Sequence, residues 1–159
     1  MRLGKLNIGR CLALAVALLW GCTHQPVQGP SAPSDAGFLA ARYAITMVGT
    51  PYRYGGNTPG GFDCSGLVHY SYARAGFTVP RTTRQQRKYS RRVVRNELRP
   101  GDLLFFNQNG KHASHVGLYI GDSRFVHAPS SGKHVYVSMI TSRYWRRHFT
   151  EARRFHLER

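Results

Sequence analysis

The chain is short of acids: 7 Asp and Glu stand against 23 Lys and Arg. It has three cysteines, no internal repeat, and only a ten-residue apolar run at Cys11–Trp20. Each shortage excludes something. A ten-residue run is too short to span a bilayer as a stable anchor. An exported chain with an odd cysteine count cannot rest on a complete disulfide framework. No H-E-x-x-H occurs, and Asp63 is the only acid close in sequence to Cys64. A zinc site from Cys64, His112, His115 and His127 would therefore lack tight ligand spacing, and no metal or cofactor is expected. The shortage of acids turns the chain toward polyanionic partners.

The amino-terminal segment narrows that choice. Residues 1–10 carry Arg2, Lys5 and Arg10 and no acid, and the apolar run follows them. This is the order of an export signal. Leu19-Trp20-Gly21-Cys22 resembles the lipobox of bacterial lipoproteins, with Trp20 where a small or aliphatic residue is usual. That resemblance implies cleavage before Cys22, lipidation of Cys22 and a lipid-held chain. With Thr23 rather than Asp after the cysteine, it implies the periplasmic face of the outer membrane. Residues 1–21 are thus expected as a signal peptide. Residues 22–34, with Pro26, Gly29, Pro30 and Pro33, are expected as a flexible tether. The mature chain keeps 20 bases against 7 acids, a net +13. Nucleic acid is not expected as a partner outside the cell. Anionic cell-wall peptides and acidic lipid surfaces are, and the densest basic run, Arg81–Arg95, holds seven Arg or Lys.

Residues 35–159 are long enough for one domain. A helix is expected from Ser34 or Asp35 to about Val48, with Phe38, Leu39, Ala41, Ile45 and Val48 on one face, stopped by Gly49 and Pro51. A glycine-rich loop carrying Tyr52 and Tyr54 leads to a helix from Cys64 to about Ala75. A short helix capped by Thr82 or Thr83 runs to about Tyr89. Beyond Pro100-Gly101-Asp102 the pattern turns to strands. They are Leu103–Phe106, His115–Ile120, Arg124–His127, His134–Ser138 and Phe149–Phe155, with a short helix or turn over Ile140–Arg147. Helices first and an antiparallel meander after them make an α+β order.

One thiol stands out. Cys11 leaves with the signal and Cys22 is taken by lipid, which leaves Cys64 alone where thiols are exposed to oxidation. Cys64 lies where the glycine-rich loop meets a helix start, with Asp63 as a good N-cap. Unpaired amides and the helix dipole at such a start favour a thiolate, the nucleophilic form. A small buried structural cysteine is the alternative. Thiol attack on a carbonyl needs a base, a group that orients the base, and an oxyanion site. His115 and His127 fall on neighbouring strands, where two imidazoles can lie side by side. The amide at the helix start and a hydroxyl from the Tyr52–Tyr54 loop could hold an oxyanion. His69 is expected to pack or to face solvent.

The stretches GTPYRYGG at 49–56, FDCSGLV at 62–68, VPRTTRQQ at 79–86, RPGDLLFF at 99–106, SHVGLYIG at 114–121 and FVHAP at 125–129 resemble the NlpC family of bacterial cell-wall cysteine peptidases. They cover most of residues 36–155 in the family's order. The resemblance implies a papain-like core: helices, one bearing the cysteine, on an antiparallel sheet of about five or six strands. It implies Cys64 as nucleophile, His115 as general base, His127 as orienting residue and Tyr52 as oxyanion donor. Asp63 and Ser65 match positions on the substrate side of the cleft, and Arg81 either meets a substrate carboxylate or holds structure. It further implies a monomeric hydrolase of peptidoglycan peptides, cutting the D-alanyl–diaminopimelate cross-link or the γ-D-glutamyl–diaminopimelate bond. A non-catalytic wall-binding lipoprotein, or an acyltransferase or amidase with the same triad, are the other classes.

Overall fold

The alternation in the second half of the chain produces a six-stranded antiparallel sheet. A computed structural model describes residues 33–157 apart from 109, 131 and 132. The expected signal peptide, the lipidation site Cys22 and most of the expected tether lie outside the described residues. Helix α1 spans Pro33–Thr46, followed by a two-residue pair β1 (Asn57–Thr58) and β2 (Gly61–Phe62) in the glycine-rich loop. Helix α2 is Cys64–Arg74, α3 is Thr83–Lys88, and strand β3 is Ser90–Val93. Strands β4 (Leu103–Gln108), β5 (Lys111–Gly121), β6 (Arg124–His127) and β7 (Tyr136–Met139) form the meander. Helix α4 (Arg143–His148) then leads to β8 (Phe149–Phe155), which returns to the far side of β4. The spatial order is β3-β8-β4-β5-β6-β7.

Both faces of the sheet are covered. Leu103 and Phe105 face a core shared with α1 and α2, through Ala40, Leu67 and Tyr72. Leu104 and Phe106 face a smaller core closed by Trp145 of α4 and Phe125 of β6. Strand β4 is buried on both sides because a layer lies on each.

Three expectations are corrected. The buried face of α1 is made of Ala36, Ala40, Ala41 and Ala44, while Phe38, Ile45 and Val48 are exposed. Close contact explains this: a Cβ built at Gly37 would lie 3.1 Å from the Pro100 carbonyl oxygen. Only small side chains let α1 come so near. Strand β3 was not expected at all. Only Ser90 and Val93 turn inward, and Arg91 and Arg92 hide the alternation inside a basic run. The strand expected over His134–Ser138 begins at Tyr136, because His134 bridges Pro51 instead. That bridge, with the Val135 amide donating to the Thr50 carbonyl at 2.7 Å, ties the Tyr52 loop to the β6–β7 connection.

Candidate active site

The site begins with the entry to α2. Asp63 has extended backbone (φ −91°, ψ 174°) and its carboxylate accepts the Gly66 amide at 2.6 Å, an N-cap as expected. The same carboxylate accepts the Gly55 amide at 3.0 Å, which pins the glycine-rich loop over the helix start. Gly66 has no alternative here, since a Cβ would lie 2.0 Å from the Gly56 carbonyl oxygen. Arg81 closes the arrangement. Its two terminal nitrogens donate to both Asp63 oxygens (2.9 and 2.7 Å), to Ser65 Oγ (3.1 Å) and to the Gly56 carbonyl (3.1 Å). Asp63, Ser65 and Arg81 are therefore brought together as a clasp, and four of the five guanidinium hydrogens are used inside the protein.

Cys64 is the first residue of α2 and is half-buried. Its Sγ lies 3.7 Å from Thr83 Oγ1, at the start of α3. Burial pushes the Cys64 thiol above its ordinary pKa. The Val116 and Ser65 amides and the Thr83 hydroxyl pull the other way, and the nearby Asp63 carboxylate adds to the rise. Burial outweighs the helix start here, which differs from the thiolate expected from position alone. The resting group is a thiol, and attack requires a base.

Two imidazoles lie beside it. One cavity of about 640 Å³ is lined by Cys64, His115 and Tyr52, with Tyr136, Tyr144 and Trp145 along its wall. Strands β5 and β6 set the two histidines side by side. His115 Nε2 and His127 Nδ1 are 3.0 Å apart, and His127 Nε2 is 3.0 Å from Ser138 Oγ on β7. Trp145 stacks on His115 at 5.7 Å and meets His127 edge-on at 4.7 Å. Burial holds both imidazoles well below their ordinary pKa, and in His127 the neighbouring His115 and Lys133 add to the effect. Both rings are neutral at neutral pH.

Neutral rings in a chain of hydrogen bonds have one tautomer pattern that serves catalysis. If Ser138 Oγ accepts from His127 Nε2, then His127 Nδ1 is free to accept from His115 Nε2. His115 Nδ1 is then bare and able to take a proton. A positive charge formed on His115 would be met by the His127 lone pair. Tyr52 is half-buried, and burial first, then the neighbouring Cys64 and Asp63, raises its phenol pKa, so it stays a donor. Its amide donates to the Lys133 carbonyl at 2.7 Å, which holds the ring's backbone at the cleft rim.

Sequence reasoning missed Ser138, Thr83 and Trp145. Ser138 carries no signal, being one serine in a short strand. Thr83 lay in plain view within the VPRTTRQQ stretch, three residues past Pro80. His69, expected to pack or to face solvent, is half-buried with Nδ1 2.7 Å from the Val79 carbonyl. Among the described residues no group of three His, Cys, Asp or Glu is gathered as a metal site would require.

The NlpC/P60 family model matches residues 49–154. The probable endopeptidase NlpC of Escherichia coli is 40% identical over 151 residues, covering 91% of this chain and 97% of that protein. The murein DD-endopeptidase MepH of Escherichia coli is 39% identical over 123 residues, covering 73% of this chain but only 45% of that protein. A lipoprotein-like NLP/P60 protein of Staphylococcus aureus superposes with a TM-score of 0.68 at 30% identity, over 84% of this chain and 46% of its own. The cysteine at a capped helix start, the histidine pair on the facing sheet and these matches agree: the chain belongs to the NlpC/P60 family of cysteine peptidases.

Proposed function

We propose that this protein is a peptidoglycan endopeptidase that cuts stem-peptide cross-links through a thioester on Cys64. The observation that carries the reading is the line Ser138–His127–His115, which ends in the cleft that Cys64 shares. His115 Nδ1 takes the thiol proton as Sγ attacks the peptide carbonyl. The C–N bond breaks as the same proton passes to the leaving amine. Water then adds to the thioester, giving one proton to His115, which returns it to the departing sulfur as the acid is released. Tyr52 Oη and the Cys64 amide donate to the oxyanion in both halves. His127 positions His115 and does not exchange the proton with substrate. No metal or cofactor enters.

The bond proposed is D-alanyl–diaminopimelate, in keeping with a relative named a DD-endopeptidase. The γ-D-glutamyl–diaminopimelate bond is the second reading. The chain is proposed to act as a monomer, lipid-held through Cys22 at the periplasmic face of the outer membrane. Mass spectrometry of muropeptides incubated with the protein, beside Cys64→Ala, tests this. Cross-linked dimers should fall to monomers with the unsubstituted protein alone. Shortened stems would move the cut to the glutamyl bond. No change in either sample, with folded and reduced protein, would sink the hydrolase reading.

A further inference from the structure

The sheet has a second end, and it is built from different chemistry. Strand β4 leaves that end at Leu103 and reaches the cleft end at Gln108, about 17 Å away at strand rise. A cavity of about 310 Å³ opens at the far end, lined among others by Arg91, Arg99, Arg154 and Asp102. Asp102 is almost fully buried and its charge is committed: both oxygens receive Arg154, at 2.6 and 2.8 Å. Glu97, outside the lining, adds its field to the same Arg154. Arg91 and Arg99 are exposed, and among the described residues neither side chain meets a carboxylate. Arg91 stands directly opposite Arg154 across β3 and β8, and the one carboxylate there, Asp102, is taken by Arg154 and not by Arg91. The cavity is therefore short of negative charge and open to solvent.

Its surroundings show what kind of anion fits. Gly37 of α1 forms part of the lining, so α1 starts at this end. It finishes toward the cleft, where the Gly49 amide donates to the Val135 carbonyl at 2.9 Å. The chain therefore enters the domain, at Pro33, beside the arginines and away from the cleft. Phe38, next to Gly37, is 52% exposed, and Tyr89, two residues before Arg91, is 57% exposed with Lys88 Nζ over its ring at 5.3 Å. Exposed aromatics beside unpaired cations suit a headgroup layer, where one end of a ring is apolar and the other wet. A free soluble anion would need the cations alone.

We propose that this end of the domain docks on an anionic phospholipid surface, with Arg91 and Arg99 taking a headgroup phosphate, so that the cleft faces away from the membrane. The proposal does not depend on which bond the cleft cuts, or on whether it cuts one. Full-length protein is mixed with phosphatidylcholine vesicles that contain or lack phosphatidylglycerol, and the ratio of the two partition coefficients is measured. The amino-terminal residues contribute alike in every variant. The ratio should be well above one, and Arg91→Gln with Arg99→Gln should lower it roughly thirtyfold, about fivefold for each cation near a charged surface. An unchanged melting temperature checks that the variant folds, and either single substitution serves if the pair does not. Arg146→Gln with Arg147→Gln, exposed cations on α4, should leave the ratio nearly unchanged. An equal loss in that control would reduce the effect to net charge and overturn the proposal. So would a ratio near one for the unsubstituted protein. Binding of inorganic phosphate that Arg91→Gln with Arg99→Gln abolishes, with no preference of the unsubstituted protein for phosphatidylglycerol vesicles, would make the cavity a free-phosphate site and overturn the docking.

Discussion

The histidine pair and the cluster around Glu151 both bury polar groups beside β4, and they are held in opposite ways. Glu151 on β8 receives Arg87 from α3, Arg92 from β3 and Arg153 from its own strand. Burial pushes its carboxyl up, but the hydrogen bonds from Arg87 and Arg153 outweigh that and hold it below the usual range. Three guanidinium groups share the one ionised carboxylate, so the cluster joins three elements and has no proton to move at neutral pH. His115 and His127 meet Phe106, Phe125 and Trp145 and, among the described residues, no carboxylate. Dry surroundings keep them uncharged, and their hydrogen bonds leave one nitrogen unspent at the cleft. A network kept ionised by its ion pairs holds the fold. A network kept neutral by desolvation, with one unmatched atom, is where a proton can be handed over.

The largest effect should come from breaking the chemical network at its end. Cys64→Ala keeps the helix start and its Asp63 cap, so the melting temperature should hold while turnover falls on the order of 10⁴-fold or more. His115→Ala should cost about 10³-fold, since it removes proton transfer, and His127→Ala distinctly less, since it removes orientation. Equal losses in a purified-enzyme assay would contradict that division between the two rings.

The clasp belongs with the charged class although it touches Cys64, and that can be broken too. Asp63→Asn leaves Arg81 facing a neutral amide and removes the oxygen that accepts the Gly55 amide, while Asn still caps α2. Loss of a partly buried ion pair should lower stability by about 2–3 kcal/mol. Denaturant midpoints measure this. A variant of full stability with lost activity would move Asp63 from the clasp to substrate contact.

Much of this was legible in residues and much was not. The cysteine helix, its cap, β4 and β6 followed from local signals: a good N-cap residue, a Gly-Asp turn, apolar runs with clear ends. Register and packing did not. The α1 face depends on how near the Pro100 turn lies, which is a tertiary fact, so Phe38 and Ile45 misled. Strand β3 is an edge with two outward arginines and no local sign of its partner β8. Of the site, Cys64, His115 and His127 could be picked out because chemistry needs those residue types. Ser138 could not, since its role comes only from the β6–β7 pairing that carries it to His127.

Acid titration separates the two networks by where each responds. An unfolded chain protonates both histidines below about pH 6.5. The folded chain keeps them neutral well below that, so the unfolded state binds more protons and stability falls as pH falls. Each ring contributes at most about 1.4 kcal/mol per pH unit within that window. Glu151, whose folded pKa is depressed, adds stability that is present above the unfolded carboxylate value. That part is lost as pH falls through the folded value, so it appears only at lower pH. Between pH 6.5 and 5 the slope should shrink in His115→Gln with His127→Gln and persist in Glu151→Gln. The same slope in both variants would mean that other groups set it.

The smallest expected effect tests how far the neutral network extends. Ser138→Ala removes the acceptor of His127 Nε2 at a buried position. The ring then gains by moving its hydrogen to Nδ1, where it can no longer accept from His115. His115 is pushed toward the tautomer with Nδ1 occupied, the one that cannot take a thiol proton. A lost neutral hydrogen bond of this kind costs about 1 kcal/mol, so kcat should fall roughly five- to tenfold with KM unchanged. Ser138→Thr keeps the hydroxyl and should restore most of the rate if the strand accepts the extra methyl. A purely structural serine would instead lower the melting temperature and leave kcat of the folded enzyme alone, ending the relay at His127.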